Sequence, residues 1–540
     1  MNARRATPPD SIGVPSLEDA HLLFEAAETG AAVSRAQYRK RANVLRQELL
    51  EAQADLREAR VPVIVMFAGV DGAGKGELTN LLNEWMDPRG ITTRAFGEPT
   101  APEAARPKYW RFWRDLPPRG DIGLFLSAWY TDPLLERVYG ETSDAALDAQ
   151  LDEINAFERT LANDGYLFLK FWMHLGREAQ KERFEQLESD PLQSWRVTRK
   201  DWEHWTMYDR FIRYSGHIIR RTDTEWAPWR IVEGADANYR SLTVGEALRD
   251  RITTRLAGEI ASARTEPDED DERLVDGGEN EPREVRPVTV LSALDMERSL
   301  EKKAYRAEVT RLQARLNRLY RVARDRGRST ILVFEGWDAA GKGGAIRRIT
   351  PALDSRDYEI VSVAAPSGEE NDHHYMWRFW RRLPGAGRFL IFDRSWYGRV
   401  LVERVERLAT EEEWLRAYAE INDFEAQLVA HGSIVVKFWI HITPDEQDRR
   451  FQAREETPYK RWKLTDEDWR NRERWQAYEV AVDDMVRLTG TPLAPWYLVE
   501  GNDKRYARVR VLDMLCDAMD RALDHPLRDY NGIQMARTDL

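Results

Sequence analysis

An aspartate inside a glycine-rich turn is the first place in this sequence where chemistry can be read. Residues 330–334 (TILVF) form a β-branched apolar run that opens into Gly336, Asp338, Gly341, Lys342 and Gly343, followed by a helix-like stretch over 345–349. A strand, a glycine-rich loop and a helix in that order make a phosphate-binding loop. The glycines let successive N–H groups turn inward, and the free N–H groups at the helix start favour an anion. Lys342 is expected to reach the phosphates as a point charge. Two features depart from the common G-x-x-x-x-G-K-[ST] form: Gly343 replaces the magnesium-holding hydroxyl, and Asp338 lies within the loop. A carboxylate among phosphates is repulsive unless it holds a cation or takes a proton from an attacking group.

A second acid closes another apolar run, where residues 388–392 (RFLIF) lead into Asp393 and Arg394. An acid at a strand end is where phosphoryl-transfer enzymes of this loop class hold magnesium, and an adjacent arginine can cancel charge on the transferring group. The alternative is that Asp393 caps the next helix and Arg394 forms a structural ion pair. Short apolar runs near 330–336, 358–365, 388–393, 433–442 and 496–500 alternate with helical stretches, which predicts a five-stranded parallel sheet covered on both faces. Ligands of such sheets sit outside the carboxyl ends of the strands, so Asp338 and Asp393 should meet at one edge.

The charged helical stretch 445–475, interrupted by Thr457 and Pro458, reads as a lid. Its Arg449, Arg450, Arg454, Lys460, Arg461 and Lys463 would offer a cationic track to a polyanion, whereas any one of them alone would suit a solvated face. Trp377 and Trp380, three apart, read as packing residues, with Arg378 and Arg382 as secondary phosphate contacts. His373 and His374 have no ligand set nearby and take no role.

The whole pattern occurs twice. Lys75 precedes Lys342 by 267 residues, and the same 267 relates Gly69 to Gly336, Asp71 to Asp338, Trp110 to Trp377, Lys170 to Lys437 and Trp229 to Trp496. A register held without a slip over some two hundred residues means two tandem copies of one domain. At the strand end the first copy carries Leu126 and Ser127 in place of Asp393 and Arg394. Along the lid it carries Glu182, Arg183, Leu187, Gln193, Ser194 and Arg196. It is expected to fold without catalysing. The expected layout is a flexible lead-in over 1–33, a degenerate copy over 34–261, an acidic linker over 262–287 and a catalytic copy over 288–540, the linker being too charged to form a core.

A chain of 540 residues, 42% hydrophobic with 20 Trp, can bury more than one core. Its net charge of −12 argues against a general nucleic-acid or anionic-membrane binder while allowing a local basic groove. The single cysteine, Cys516, excludes an internal disulfide and a zinc cluster and should pack in a C-terminal helix. The start of the chain lacks an apolar leader core, and no apolar run approaches 18 residues, so a cytoplasmic protein is expected.

Together, the glycine-flanked Asp338 and Lys342, the W-R-F-W motif at 377–380, the D-R-S-W-Y motif at 393–397 and the basic lid resemble the second family of polyphosphate kinases, in particular its two-domain class II. The likeness covers about 34–256 and 300–525. It implies tandem thymidylate-kinase-like P-loop domains, each with a helical lid. It also implies magnesium-dependent transfer of the terminal phosphoryl group of inorganic polyphosphate to AMP, giving ADP, with activity in the C-terminal copy. By motif match, Asp338, Lys342, Asp393 and Arg394 are the family's catalytic and metal-binding positions, and the basic lid is its polyphosphate contact. A homo-oligomer is compatible with this reading. An enzyme acting on ADP, an ATP-dependent nucleoside monophosphate kinase and a polyphosphate-binding regulator or scaffold remain the alternatives.

Overall fold

The computed structural model describes residues 13–265, 289–456 and 466–524. Two compact units are present, one around each of two five-stranded sheets. In the first copy the strands are β1 (Val63–Gly69), β2 (Ile91–Ala95), β3 (Ile122–Leu126), β4 (Leu167–His174) and β5 (Trp229–Glu233). In the second they are β6 (Thr330–Gly336), β7 (Tyr358–Ser362), β8 (Phe389–Asp393), β9 (Ile434–His441) and β10 (Trp496–Glu500). All pairings are parallel, in the orders β2-β3-β1-β4-β5 and β10-β9-β6-β8-β7. The expected fold is therefore the observed one, an α/β P-loop-type sheet in each copy. Every residue of β4 and β9 is buried, which is why these strands read as continuous apolar runs rather than alternating ones.

The strand order places the site. β6 lies between β8 and β9, so the chain leaves this central strand where the order reverses, and a crevice opens outside the strand ends. Phe334 pairs with Asp393 and Gly336 with Ile440, which brings the loop after β6 beside the acid that closes β8. Gly336 has φ +147°, and a Cβ there would lie 2.5 Å from the Ile440 carbonyl oxygen. Only glycine fits this position; its counterpart Gly69 meets the Met173 carbonyl oxygen in the same way.

Two expected boundaries need correction. The lead-in is not flexible throughout: Leu17–Glu25 is a helix capped by Ser16, whose side chain accepts from the Asp19 N–H. Phe24, fully buried, stacks on His174 at 4.7 Å between ring centres and packs against Trp172. Burying such a ring contributes about 2–3 kcal/mol, enough to hold a short helix in place. At the other end, the helix Ala237–Thr265 runs four residues into the expected linker, the rest of which lies outside the described residues.

Candidate functional site

In the second copy the loop after β6 curls tightly enough to place Ala339 at φ +63° and Gly341 at φ +113° before the helix Lys342–Ile349 begins. Lys342 folds over this loop, donating from Nζ to the Gly336 carbonyl at 2.6 Å and the Trp337 carbonyl at 3.4 Å. Asp338 is the hub of the site. Its Oδ1 accepts from Arg394 Nη2 at 3.0 Å and its Oδ2 from Asn471 Nδ2 at 2.9 Å, and Tyr478 donates in turn to the Asn471 side-chain oxygen at 2.9 Å. Burial alone would push the Asp338 carboxyl up, but Lys342, Arg394 and the Asn471 hydrogen bond together hold it below the ordinary aspartate value. It is therefore a carboxylate at neutral pH. Asp393 lies across the loop helix, its Oδ2 3.9 Å from where a Cβ on Gly343 would stand.

The fold thus gathers Asp338, Lys342, Asp393 and Arg394 at one sheet edge. Arg394 sits at φ +66°, a left-handed backbone that disfavours most side chains. Its ion pair with Asp338 spans the two loops, so the arginine is aimed into the site instead of along the following helix.

The expected cationic track divides into four parts. Arg449 is exposed and forms a two-pronged pair with Glu446. Arg454 lies over the Phe451 ring. Lys460, Arg461 and Lys463 lie outside the described residues. Arg450 is not on an open face at all. It is buried, and donates from Nη1 to the Ala339 and Ala340 carbonyls at 2.9 and 2.7 Å and from Nη2 to the Gly501 and Asn502 carbonyls at 2.6 and 3.0 Å. Its planar fork bolts the phosphate loop to the turn after β10, a job that needs a guanidinium. Arg378 and Arg382 pair with Glu370 and Glu359, while Trp377 and Trp380 are buried packing residues.

Several site residues escape a reading of motifs. Glu335, the penultimate residue of β6, is buried and accepts from the Ser395 hydroxyl at 2.8 Å; burial raises its pKa, with Lys342, Arg394 and Asp393 close enough to act on it. Lys504 and Arg508 extend from the start of the helix Lys504–Asp524, Arg508 approaching to 3.2 Å of where a Cβ on Gly344 would be. Burial, then the charges of Arg450, Arg449 and Arg508, pulls Lys504 down to about 8 despite an opposing pull from Glu446. A signal for all three lay in the repeat: their counterparts are Ala68, Ala237 and Ser241.

Other differences lie close by. The first copy retains Lys75 on the Gly69 and Val70 carbonyls, at 2.6 and 2.9 Å, and Asp71 paired with His204 Nδ1 at 2.7 Å. At the place of Gly344 it has Glu77, whose carboxylate takes Arg183 at 2.8 Å, Arg196 at 2.6 Å and Arg240. Arg183 stands in register with Arg450 but serves Glu77. The bolt to the last strand comes instead from Arg240, which donates to the Gly234 carbonyl at 2.7 Å.

Among the described residues no helix is long and apolar enough to cross a membrane. Residues 32–258 and 299–525 each match the family model for polyphosphate kinase 2. A polyphosphate:AMP phosphotransferase of Pseudomonas aeruginosa is 50% identical over 501 residues, covering 93% of this chain and 99% of that protein. A protein of the same name from Acinetobacter johnsonii is 35% identical, covering 86% of this chain and 93% of its own. A crystal structure of a polyphosphate kinase 2 from Pseudomonas aeruginosa matches with a TM-score of 0.81 at 47% identity, covering 93% of this chain and 100% of that one. By both of its halves, the chain belongs to the polyphosphate kinase 2 family.

Proposed function

We propose that the chain moves the terminal phosphoryl group of inorganic polyphosphate to AMP, giving ADP, with magnesium as the metal and the second copy as the seat of the chemistry. The observation that carries this reading is the meeting of Asp338, Lys342, Asp393 and Arg394 at one sheet edge, against Leu126 and Ser127 at the first copy's strand end. The relatives named polyphosphate:AMP phosphotransferase, similar over nearly their whole length, support the donor and acceptor.

The family's phosphotransferases depend on a divalent metal. The residues fit a small hard cation: Asp338 is an ionised oxygen donor, and Asp393 reaches the same loop. Among the described residues no cluster of three or more His, Cys, Asp or Glu side chains forms a metal cage. That pattern suits magnesium, which takes one or two carboxylates and completes its shell with water and phosphate oxygens. Bound there by Asp338 and Asp393, it would neutralise charge on the donor phosphates.

The protein's own groups position and screen. The loop N–H groups and Lys342 hold donor phosphate, and Arg394 offsets charge on the group in transit. An AMP phosphate oxygen attacks the terminal phosphorus, the bond to the next bridging oxygen breaks, and the chain leaves one unit shorter. The attacking oxygen is already anionic, so no base is required, and in-line placement supplies most of the acceleration.

Purified full-length protein given magnesium, AMP and long-chain polyphosphate, without ATP, should form ADP on a chromatographic assay, with label from the donor recovered in its β-phosphate. ADP formed from AMP and ATP but not from polyphosphate would overturn the donor assignment.

A further inference from the structure

The cavity beside the phosphate loop is larger in the copy without the chemistry. In the second copy it measures about 70 Å³, because Trp337 stacks on Trp475 at 3.6 Å between ring centres and fills the space. In the first copy Val70 and Tyr208 stand at those two places, and the cavity opens to about 280 Å³. A cavity useless since the loss of catalysis would be expected to collapse or fill with apolar side chains, because unfilled core space is costly. This one has kept polar groups. Asp71, Lys75 and His204 remain at its loop end with Lys200 nearby, and Tyr130, Trp172 and Trp229 are among its aromatic lining residues.

Trp172 supplies a second, independent observation. It is buried, lines the cavity, and its indole Nε1 has no hydrogen-bond partner. An orphaned buried donor is uncommon and calls for a partner. Its counterpart Trp439 lines the second copy's cavity with the same orphaned Nε1. The two copies therefore share a donor facing the same demand although only the second has the strand-end acid Asp393.

The donor side of the first copy is closed from within. Glu77 brings a carboxylate to the lid side of the loop, where it engages Arg183 and Arg196, the residues in register with Arg450 and Lys463, together with Arg240. A built-in anion competes with a phosphate chain for those cations, whereas the aromatic cavity across the loop stays open.

We propose that the first copy is a second, non-catalytic nucleotide site, its cavity taking a nucleoside monophosphate with the base against the aromatic wall and the phosphate toward Lys75 and Lys200. Aromatic side chains recognise bases by stacking, and two lysines beside helix N–H groups suit a single phosphate. The inference rests on the proposed reaction's taking AMP as acceptor, and gives the first copy a place for the same class of ligand where no transfer follows.

The test is calorimetric titration of the full chain with AMP in the absence of polyphosphate. Val70→Trp restores the side chain that fills the second copy's cavity and should remove one bound AMP per chain. Trp172→Phe keeps an aromatic ring, smaller than the indole, but removes the orphaned N–H, and should weaken one class of AMP site about 3- to 10-fold. Circular dichroism reports whether each variant folds, and Trp172→Phe carries the test alone if Val70→Trp does not. No AMP binding by the wild-type chain, or isotherms unchanged by the folded variants, would overturn the second site. Failure of wild-type protein to make ADP from polyphosphate would overturn the proposed activity instead, and leave a binding result standing.

Discussion

In both copies the residue after the third strand adopts a left-handed backbone, at φ +66° for Arg394 and +51° for Ser127. The turn has been kept while its side chain has changed from a guanidinium that pairs with the loop aspartate to a hydroxymethyl group. A few residues on, Tyr397, Glu425 and Lys437 form a buried network whose distances, 2.7 to 2.8 Å, are repeated within 0.1 Å by Tyr130, Glu158 and Lys170. The comparison separates two kinds of charged group. The buried trio that both copies share is one the fold needs, since either copy would otherwise leave an uncompensated ion in its core. Groups that only the second copy has (Glu335, Asp393, Arg394, Lys504 and Arg508) are dispensable to folding, because the first copy folds with Ala68, Leu126, Ser127, Ala237 and Ser241 in their places.

The sharpest way to break this division is Asp393→Asn. It should lower turnover by about 10³-fold or more with the melting temperature almost unmoved; retained activity would remove Asp393 from the chemistry. Next in size is Lys437→Met, which leaves Glu425 buried without its cation and should cost about 3–5 kcal/mol in a urea titration. Lys170→Met in the first copy should cost a similar amount, and a loss confined to one copy would contradict a shared scaffold role.

A smaller effect concerns pH. A lysine whose pKa is pulled down to about 8 carries its charge below that pH and loses it above. The KM for polyphosphate should therefore rise a few-fold between pH 7 and 9, and Lys504→Met should flatten that dependence. The smallest expected effect is a negative one. Installing Leu126→Asp and Ser127→Arg in the first copy of the Asp393→Asn chain should restore no measurable ADP formation, since Ala68, Glu77, Ala237 and Ser241 would still stand where the second copy has Glu335, Gly344, Lys504 and Arg508. Recovered activity would mean that the strand-end pair alone separates the copies.

The strands are legible in the sequence because a buried parallel sheet writes continuous apolar runs, and all five strands of the second copy fall where those runs lie. The loop and the strand-end acid were legible because glycines and a carboxylate at such places have few structural reasons to be there. Arg450 reads in the sequence as part of an open track because a cation in a charged helix looks the same whether it faces water or four carbonyls. The helix Leu17–Glu25 leaves little trace in the sequence because its single deeply buried aromatic, Phe24, gives little periodic signal by itself.

By itself the sequence determined the tandem repeat, the class of fold and the identity of the groups able to do chemistry, since these depend on periodicity, turn residues and side-chain type. The tertiary structure alone decided which of those groups meet. Arg394 and Asn471 reach Asp338 from 56 and 133 residues further along the chain, Glu77 seats a carboxylate among three arginines, and Val70 for Trp337 opens a cavity. Each of these depends on distances of a few ångströms between residues tens to more than a hundred positions apart, and such distances are set by how the whole sheet and its helices pack.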